Sequence, residues 1–424
     1  MSISRKITEG AGSGGGSGGY VDDVFSTYVW EGTGADQDII NGVDLDGEGG
    51  MVWVKQRTGG AVSHSLYDTE RGATQVLMSN SNSSEYALDT GLKSFNSDGF
   101  THGTHMGTED IASWTFRKAP SFFDVVTYTG DDVQGREIPH NLGVAPGMVI
   151  VKRLTGGDNW QVFHKDLSNP LTKRLYLNSE LAEQNQSSPP QFPAMPTDSV
   201  FTVGKDASMN DSTQEYVAYL FAHDDSDEGM IQCGSYTGTG AADNEINLGW
   251  EPQWLLIKGA TTDKSWLMFD SMRGVTSGST DALLYANLSG AEEANKNWVS
   301  FSASGFKLTG QTDTGMVAAH NGSGEEYIYM AIRRPNKPAE EFDPEELFAI
   351  DTRGSTSPAF TSDFPVDMSI LKDVTGGNNF ISGRMTQKLF LQTDLNAAEI
   401  AGMGYKYDYP DGYYDGTSES AVNH

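Results

Sequence analysis

The chain contains 424 residues and carries 58 acidic against 28 basic side chains, a formal net charge of −30. Such a surface repels nucleic-acid phosphates and anionic lipid, so we predict neither nucleic acid nor a membrane as a partner. Cys233 is the single cysteine, which excludes an intrachain disulfide and a cysteine zinc cluster. The first ten residues lack the apolar stretch of a secretory signal, so we expect the protein to be made in a cytoplasm.

A glycine-rich segment opens the chain. Residues 10–19 consist only of Gly, Ser and Ala, a composition that holds no fixed fold on its own. We therefore predict a flexible Gly-rich N-terminal arm over residues 1–22, which becomes ordered when it docks against a neighbouring protein.

After the arm, one pattern recurs four times. Its clearest element is a compact apolar segment of strand length that ends in lysine. The copies are Met51-Val-Trp-Val-Lys55, Met148-Val-Ile-Val-Lys152, Trp254-Leu-Leu-Ile-Lys258 and Met368-Ser-Ile-Leu-Lys372. The recurrence predicts four modules, at residues 23–120, 121–226, 227–338 and 339–424, and the last is incomplete because it has no closing strand.

Short apolar segments separated by turn residues fill the rest of each unit. After the lysine come Ser65-Leu-Tyr-Asp68, Trp160-Gln-Val-Phe-His164 and Trp266-Leu-Met-Phe-Asp270, and further on the glutamates Glu85, Glu183 and Glu292. Segments rich in Val, Ile, Phe, Tyr and Trp and bounded by Gly, Asn, Asp or Ser indicate antiparallel strands. We predict an all-β fold of tandem small antiparallel β-sandwich modules, jelly-roll-like, which stand in series and give length. One short helix is expected at residues 396–401.

A set of longer stretches carries a family resemblance. They are Met1-Ser-Ile-Ser-Arg-Lys-Ile-Thr8, Tyr20-Val-Asp-Asp-Val-Phe-Ser26, Asn41-Gly-Val-Asp-Leu-Asp-Gly-Glu-Gly-Gly-Met-Val-Trp-Val-Lys55, Asp68-Thr-Glu-Arg-Gly72 and Ser94-Phe-Asn-Ser-Asp-Gly-Phe100. In these stretches the chain resembles repeat-containing structural proteins of tailed bacteriophages, particularly marine and cyanobacterial ones, described as tail fibre or tail-associated proteins. The resemblance implies a virion protein of the tail, a fibre or fibre adaptor. It also implies assembly with other tail proteins in the host cytoplasm and a homo-oligomer, with a trimer favoured by analogy.

The candidate site residues are the polar ones that recur. They are the lysines Lys55, Lys152, Lys258 and Lys372 and the acid–arginine pairs Asp68 with Arg71 and Asp270 with Arg273. A carboxylate with a bidentate arginine can lock a turn, and unit two departs from the pattern because it lacks the arginine-glycine pair. An active site seldom recurs in every module, so we predict structural roles for these residues, no enzyme activity and no cofactor.

Other readings of the sequence stay open. Acidic residues at 44–48 and 224–228 are candidate calcium ligands, although neither run has the spacing of a helix-loop-helix site and a solvated turn is favoured. His102 and His105 have a spacing that can chelate a metal. Tryptophans stacked on sugar would make the protein a carbohydrate-binding array for a host surface glycan, and a head fibre or capsid decoration protein is a further alternative.

Overall fold

A computed structural model describes residues 20–423, except 243, 276–280, 297, 309–319, 336–347, 356–357, 374–378, 385–388, 394, 397, 402–405, 408 and 414–421. The predicted arm, residues 1–22, therefore lies almost wholly outside the described residues. Its last two residues belong instead to a four-residue helix, α1 (Val21–Val24), in which both valines are buried.

The predicted all-β fold is confirmed, since the described chain consists mainly of short strands in small antiparallel sheets. Besides α1, a helix α2 spans Ala207–Asn210 and a 3₁₀ turn spans Thr104–Met106. The helix expected at residues 396–401 is wrong, because Ile400–Ala401 pairs with a neighbouring strand. That stretch is rich in alanine, and sheet pairing overrides its weak local preference for helix.

The strands fall into four repeats, named repeat 1 to repeat 4. Repeat 1 contains β1 Phe25–Glu31, β2 Gln37–Ile40, β3 Gly50–Gln56, β4 Ser65–Asp68, β5 Gln75–Val76, β6 Tyr86–Ala87, β7 Leu92–Asn96, β8 Gly99–His102 and β9 Asp110–Arg117. Repeat 2 contains β10 Phe123–Thr129, β11 Arg136–Pro139, β12 Pro146–Arg153, β13 Gln161–His164, β14 Lys173–Tyr176, β15 Gln184–Asn185, β16 Val200–Val203 and β17 Glu215–Ala222.

Repeats 3 and 4 follow the same order. Repeat 3 contains β18 Ile231–Thr237, β19 Asn244–Asn247, β20 Pro252–Gly259, β21 Leu267–Asp270, β22 Asp281–Tyr285, β23 Glu293–Lys296, β24 Val299–Ser302, β25 Gly305–Leu308 and β26 Glu326–Arg333. Repeat 4 contains β27 Phe360–Thr361, β28 Met368–Asp373, β29 Asn379–Gly383, β30 Leu389–Gln392, β31 Ile400–Ala401, β32 Gly412–Tyr413 and β33 Val422–Asn423. The expectation that this unit has no closing strand is wrong, because β33 pairs with β28 beside Lys372 as β9 pairs with β3 beside Lys55.

Each of the first three repeats places a large sheet against a small one. The large sheets have the orders β1-β9-β3-β4, β10-β17-β12-β13-β14-β15 and β18-β26-β20-β21-β22-β23, and the small ones are β2-β8-β7, β11-β16 and β19-β25-β24. In repeat 1, Val52 and Val54 of the large sheet pack with Ile39 and Phe100 of the small sheet. Among the described strands, no sheet takes members from two repeats.

The strands that end in lysine are buried on both faces. Every residue of β3 and of β20 is buried, which explains why they are continuous apolar runs rather than alternating ones. In β3, Val52 and Val54 face the core of repeat 1, whereas Met51 and Trp53 belong to a second, larger core.

This larger core is shared by three repeats, and we call it the central core. Equivalent side chains line it: Met51, Trp53, Trp114 and Phe116 from repeat 1, Met148, Ile150, Tyr219 and Phe221 from repeat 2, and Trp254, Leu256, Met330 and Ile332 from repeat 3. The ring of Phe116 lies 5.6 Å from that of Phe221 and 6.0 Å from that of Trp254, so all three repeats meet. Repeats 1 to 3 therefore close on one another as a ring, which we call the three-repeat ring, instead of standing in series.

Candidate functional site: the junctions between repeats

The lysine that ends each central strand crosses a junction of the three-repeat ring. Lys55, Lys152 and Lys258 are fully buried. Each Nζ donates to the main-chain oxygen of the following residue, at 2.9, 2.8 and 2.8 Å. Each Nζ also donates to a main-chain oxygen of another repeat: Lys55 to Ser289, Lys152 to Asn82 and Lys258 to Glu180, at 3.2, 3.2 and 3.1 Å. The lysines of repeats 1, 2 and 3 thus bind repeats 3, 1 and 2, a closed cyclic order.

Burial changes the ionisation of these lysines. It lowers the pKa of Lys55 and of Lys152 to about 8, and that of Lys258 to about 7, because a buried ammonium loses its hydration. A lysine with such a pKa can act as a nucleophile at neutral pH when substrate reaches it. These three lie inside the junctions with their Nζ atoms bonded to carbonyls, so the arrangement serves to fasten neighbouring repeats. Lys372, at the same strand position in repeat 4, is only half-buried.

A ring nitrogen makes a second contact across each junction. His64, Trp160 and Trp266 stand one residue before β4, β13 and β21. Their ring N–H groups donate to equivalent main-chain oxygens, those of Tyr285, Met78 and Tyr176, at 3.0, 3.0 and 2.9 Å. His64 can replace a tryptophan because its Nδ1 accepts a hydrogen bond from Trp53 Nε1 at 2.8 Å, which leaves the proton on Nε2. Burial lowers the pKa of His64 well below its usual value, so the ring is neutral.

The residue at the end of the same strand makes a third contact. Asp68 Oδ2 accepts from the Tyr219 hydroxyl of repeat 2 at 2.7 Å, and Asp270 Oδ2 accepts from Trp114 Nε1 of repeat 1 at 3.0 Å. The contacted residues Tyr219 and Trp114 hold equivalent places in the closing strands β17 and β9. These contacts again join each repeat to the next.

The structure places each predicted acid–arginine pair together. Arg71 Nε lies 2.6 Å from Asp68 Oδ2, and Arg273 Nε lies 2.6 Å from Asp270 Oδ2. The main-chain N–H groups of the two arginines donate to the other carboxylate oxygens at 3.0 and 2.7 Å, so each carboxylate closes the turn behind it. Both pairs are buried, and the Arg273 guanidinium also lies 5.3 Å from the centre of the Trp114 ring.

Repeat 2 departs from this pattern for a physical reason. His164 occupies the strand position of the two aspartates, and its Nε2 donates to Tyr329 O of repeat 3 at 3.2 Å while Nδ1 accepts from Asp166 N. Burial lowers the pKa of His164 to about 4, so the ring is neutral. A neutral side chain needs no buried counter-ion, which accounts for the missing arginine-glycine pair.

The recurring glutamates complete the junctions. The main-chain N–H groups of Glu85, Glu183 and Glu292 donate to main-chain oxygens of the adjoining repeat: Leu154, Ala260 and Arg57, at 2.9, 2.8 and 2.9 Å. The Glu292 carboxylate also pairs with Arg57 through two hydrogen bonds of 2.9 and 3.0 Å, and with Arg273 at 3.0 Å. Burial opposes ionisation of Glu292, yet Arg57 and Arg273 hold its pKa below the usual value.

Sequence reasoning missed the partners of these residues. Tyr219 has an equivalent in Trp114, and the main-chain oxygen of Arg57 has equivalents in two other repeats, but these groups become partners only when the ring closes. The recurrence of the lysines, of the aspartates and of Glu85, Glu183 and Glu292 was visible in the sequence, but it did not identify their partners.

The other candidate ligands have local roles where the structure describes them. Asp44 Oδ1 accepts from Gly47 N at 2.8 Å and Asp224 Oδ1 accepts from Ser226 N at 2.9 Å, as in solvated acidic turns. His102 is buried against Trp30, with ring centres 5.7 Å apart, and burial lowers its pKa to about 4. Within the described residues there is no group of three or more His, Cys, Asp or Glu side chains placed to hold a metal ion. Nor does any described helix have the length and apolarity required to span a bilayer.

Together, the fold and the junctions define a class: an all-β protein with internal repeats, three of which close around one central core. The chain belongs to the family described as a domain of unknown function (DUF7483), whose model matches residues 21–335. The match begins at α1 and ends two residues after β26, so it covers the three-repeat ring and stops before repeat 4. A comparison with curated proteins finds no match.

Proposed function

We propose that the protein is a non-enzymatic structural component of a bacteriophage virion, a tail fibre or fibre adaptor. In this proposal the N-terminal arm anchors it to other tail proteins, and assembly takes place in the host cytoplasm. The absence of enzyme activity in this proposal is supported by the contacts that the recurring polar residues make. Lys55, Lys152 and Lys258 are buried and bonded across junctions, as are Asp68 and Asp270. The tail assignment depends on the resemblance carried by the stretches at 1–8, 20–26, 41–55, 68–72 and 94–100.

Two further features support a durable architectural role. Cys233 is buried and burial raises its thiol pKa, so the thiol is shielded from oxidation and exchange. Val21 and Val24 of α1 pack into the central core, so the preceding arm leaves the three-repeat ring at a fixed point. A glycine-rich segment that becomes ordered on docking is suited to anchoring.

Self-association is part of the proposal: the protein forms a homo-oligomer in the particle, with a trimer favoured. The resemblance to tail fibre proteins implies an assembly of identical copies, and closed symmetry lets a single contact repeat without leaving open ends.

The test is localisation on intact particles. Antibodies raised against the purified chain, with gold-labelled secondary antibodies, should decorate the tail of phage that encode it. Label confined to the head would favour a head fibre or decoration protein. Absence from purified particles, despite abundance in infected cells, would contradict a virion role.

One surface favours a second candidate, glycan recognition. A pocket of about 250 Å³ is lined by Tyr28 and Tyr409 together with Asp38 and Asp110. Aromatic faces and carboxylate acceptors are groups that bind sugars. Binding of the full chain to a glycan array would support receptor recognition, and binding to none would leave architecture as the whole function.

A further inference from the structure

Repeat 4 has a sheet face that corresponds to the one the other repeats bury in the central core. Its strand β28 pairs with β29 so that Ile370 lies opposite Ile381, just as Leu256 of β20 lies opposite Met268 of β21. When β28 is aligned with β20 in this way, Met368 occupies the position equivalent to Trp254. Met368 and Ile370 are therefore the repeat 4 counterparts of central-core residues.

The same positions differ sharply in exposure. Trp254 and Leu256 are 0% and 1% exposed, whereas Met368 and Ile370 are 63% and 52% exposed. Leu391, which lies opposite Ile381 in β30, is 42% exposed. Ile370, Ile381 and Leu391 thus form an apolar row across three strands, which we call, together with Met368, the outer face of repeat 4.

The opposite face of this sheet is covered within the repeat. Leu371 and Phe390 belong to the core of repeat 4, and the Ser369 hydroxyl bonds to that of Tyr407 at 2.7 Å. The sheet therefore has one face satisfied inside its own repeat, as in repeats 1 to 3. Contiguous exposed apolar side chains of this kind mark interaction surfaces in soluble proteins.

We propose that the outer face of repeat 4 is a self-association surface on which three copies of the chain meet. The occupant is a second copy of repeat 4, because this face is covered by neighbouring repeats wherever else it occurs in the chain. The number of copies is three because the contacts between repeats within the chain close after three repeats. A head-to-tail contact that rotates each copy by the same angle as each repeat forms a closed trimer. Lys372 then stands where Lys55, Lys152 and Lys258 stand, in position to donate to a main-chain oxygen of the adjoining copy.

This inference rests on the self-association in the proposed function and names the surface responsible. It does not depend on where in a virion the protein lies.

The experiment measures the mass of the full chain by light scattering after size exclusion. Wild type should have three times the 45.9 kDa of one chain. Ile370→Asp and Leu391→Asp should each give the single-chain mass, because a carboxylate placed on the outer face would be buried without a partner. Ile40→Asp is the matched control: Ile40 is 63% exposed on the small sheet of repeat 1, so its substitution should leave the trimer intact.

A cross-linking experiment tests the same surface if an aspartate substitution unfolds repeat 4. Ile370→Cys treated with a short bismaleimide should give covalently linked dimers, since the three Ile370 positions converge; Ile40→Cys should give none. Cys233 is fully buried and does not contribute. A monomeric wild type would overturn both the surface and the proposed self-association. A trimer that survives both aspartate substitutions, or an Ile370→Cys variant that does not cross-link, would overturn the surface alone.

Discussion

Asp270 and Arg273 show how one buried ion pair serves both a turn and a junction. The aspartate accepts from the guanidinium, from the main-chain N–H of Arg273 and from Trp114 of repeat 1. All the partners are buried, so the charge of either residue is tolerable only while the other is present.

We therefore expect Asp270→Ala to destabilise the protein strongly. The substitution leaves the Arg273 guanidinium buried with Glu292 as its remaining anion, and breaking such a pair costs about 3–5 kcal/mol. The free energy of unfolding in urea measures the loss. Asp225→Ala, which removes an exposed aspartate, should change it by less than about 0.5 kcal/mol. A loss at position 270 no larger than the control would show that the pair is not buried in solution.

The junction lysines predict a pH dependence. Burial lowers the pKa of Lys258 from its usual 10.5 to about 7. Between these two pH values the unfolded chain binds a proton that the folded chain has released. Stability must then rise with pH across that window, by about 1.4 kcal/mol per pH unit for each fully deprotonated lysine. Lys55 and Lys152 contribute above about pH 8.

The measurement compares unfolding at pH 7 and pH 9. Wild type should gain stability over this interval, and Lys258→Met should gain clearly less. Lys93→Met removes an exposed lysine instead and should follow wild type. Parallel pH profiles for Lys258→Met and wild type would mean that the ammonium of Lys258 stays charged inside the fold.

At the scale of elements, the strands were predictable and their partners were not. The Met51–Lys55 segment and its copies are apolar runs with strand spacing, so their assignment needed no tertiary information. The acceptors of the lysines are main-chain oxygens of Asn82, Glu180 and Ser289. Because any residue type supplies a main-chain oxygen, these contacts leave no common side chain in the sequence. Helices α1 and α2 have only four residues each, too few to show a helical period.

A glycine at the tip of a hairpin illustrates a local constraint that the sequence does show. Gly99 and Gly305 begin the equivalent strands β8 and β25, and a Cβ would lie 1.9 Å from Ile39 O and 2.0 Å from Ile246 O. The backbone of the paired strand thus excludes any side chain at these two positions.

Gly305→Ala should consequently weaken repeat 3. Relief of the clash requires separation of β19 from β25, and we expect a loss of about 1–3 kcal/mol in unfolding free energy. Gly290→Ala is the control, since a Cβ there meets no atom within 4 Å. Equal stability of the two variants would show that the β19–β25 pairing is dispensable.

At the scale of the whole molecule, the closed ring gives three repeats one shared core. In an open array each repeat contacts only its sequence neighbours, and stability is close to a sum of local terms. Here repeat 1 also contacts repeat 3, for example through Ser79 Oγ and Ala286 O at 2.6 Å. A period in sequence reveals the number of units but not whether the last returns to the first, so this closure could not be predicted.

Closure predicts a single unfolding transition for the three-repeat ring. Trp53→Ala in repeat 1 and Leu256→Ala in repeat 3 each open a cavity in the central core, and each should cost about 2–5 kcal/mol. Because the core is shared, both substitutions should lower the midpoint of the same calorimetric transition. The three repeats should still unfold together in each variant. Repeat 4 has its own core around Phe360 and Tyr413, so its unfolding should be insensitive to either change. Separate transitions, each shifted only by the substitution in its own repeat, would mean that the junctions are too weak to couple the repeats.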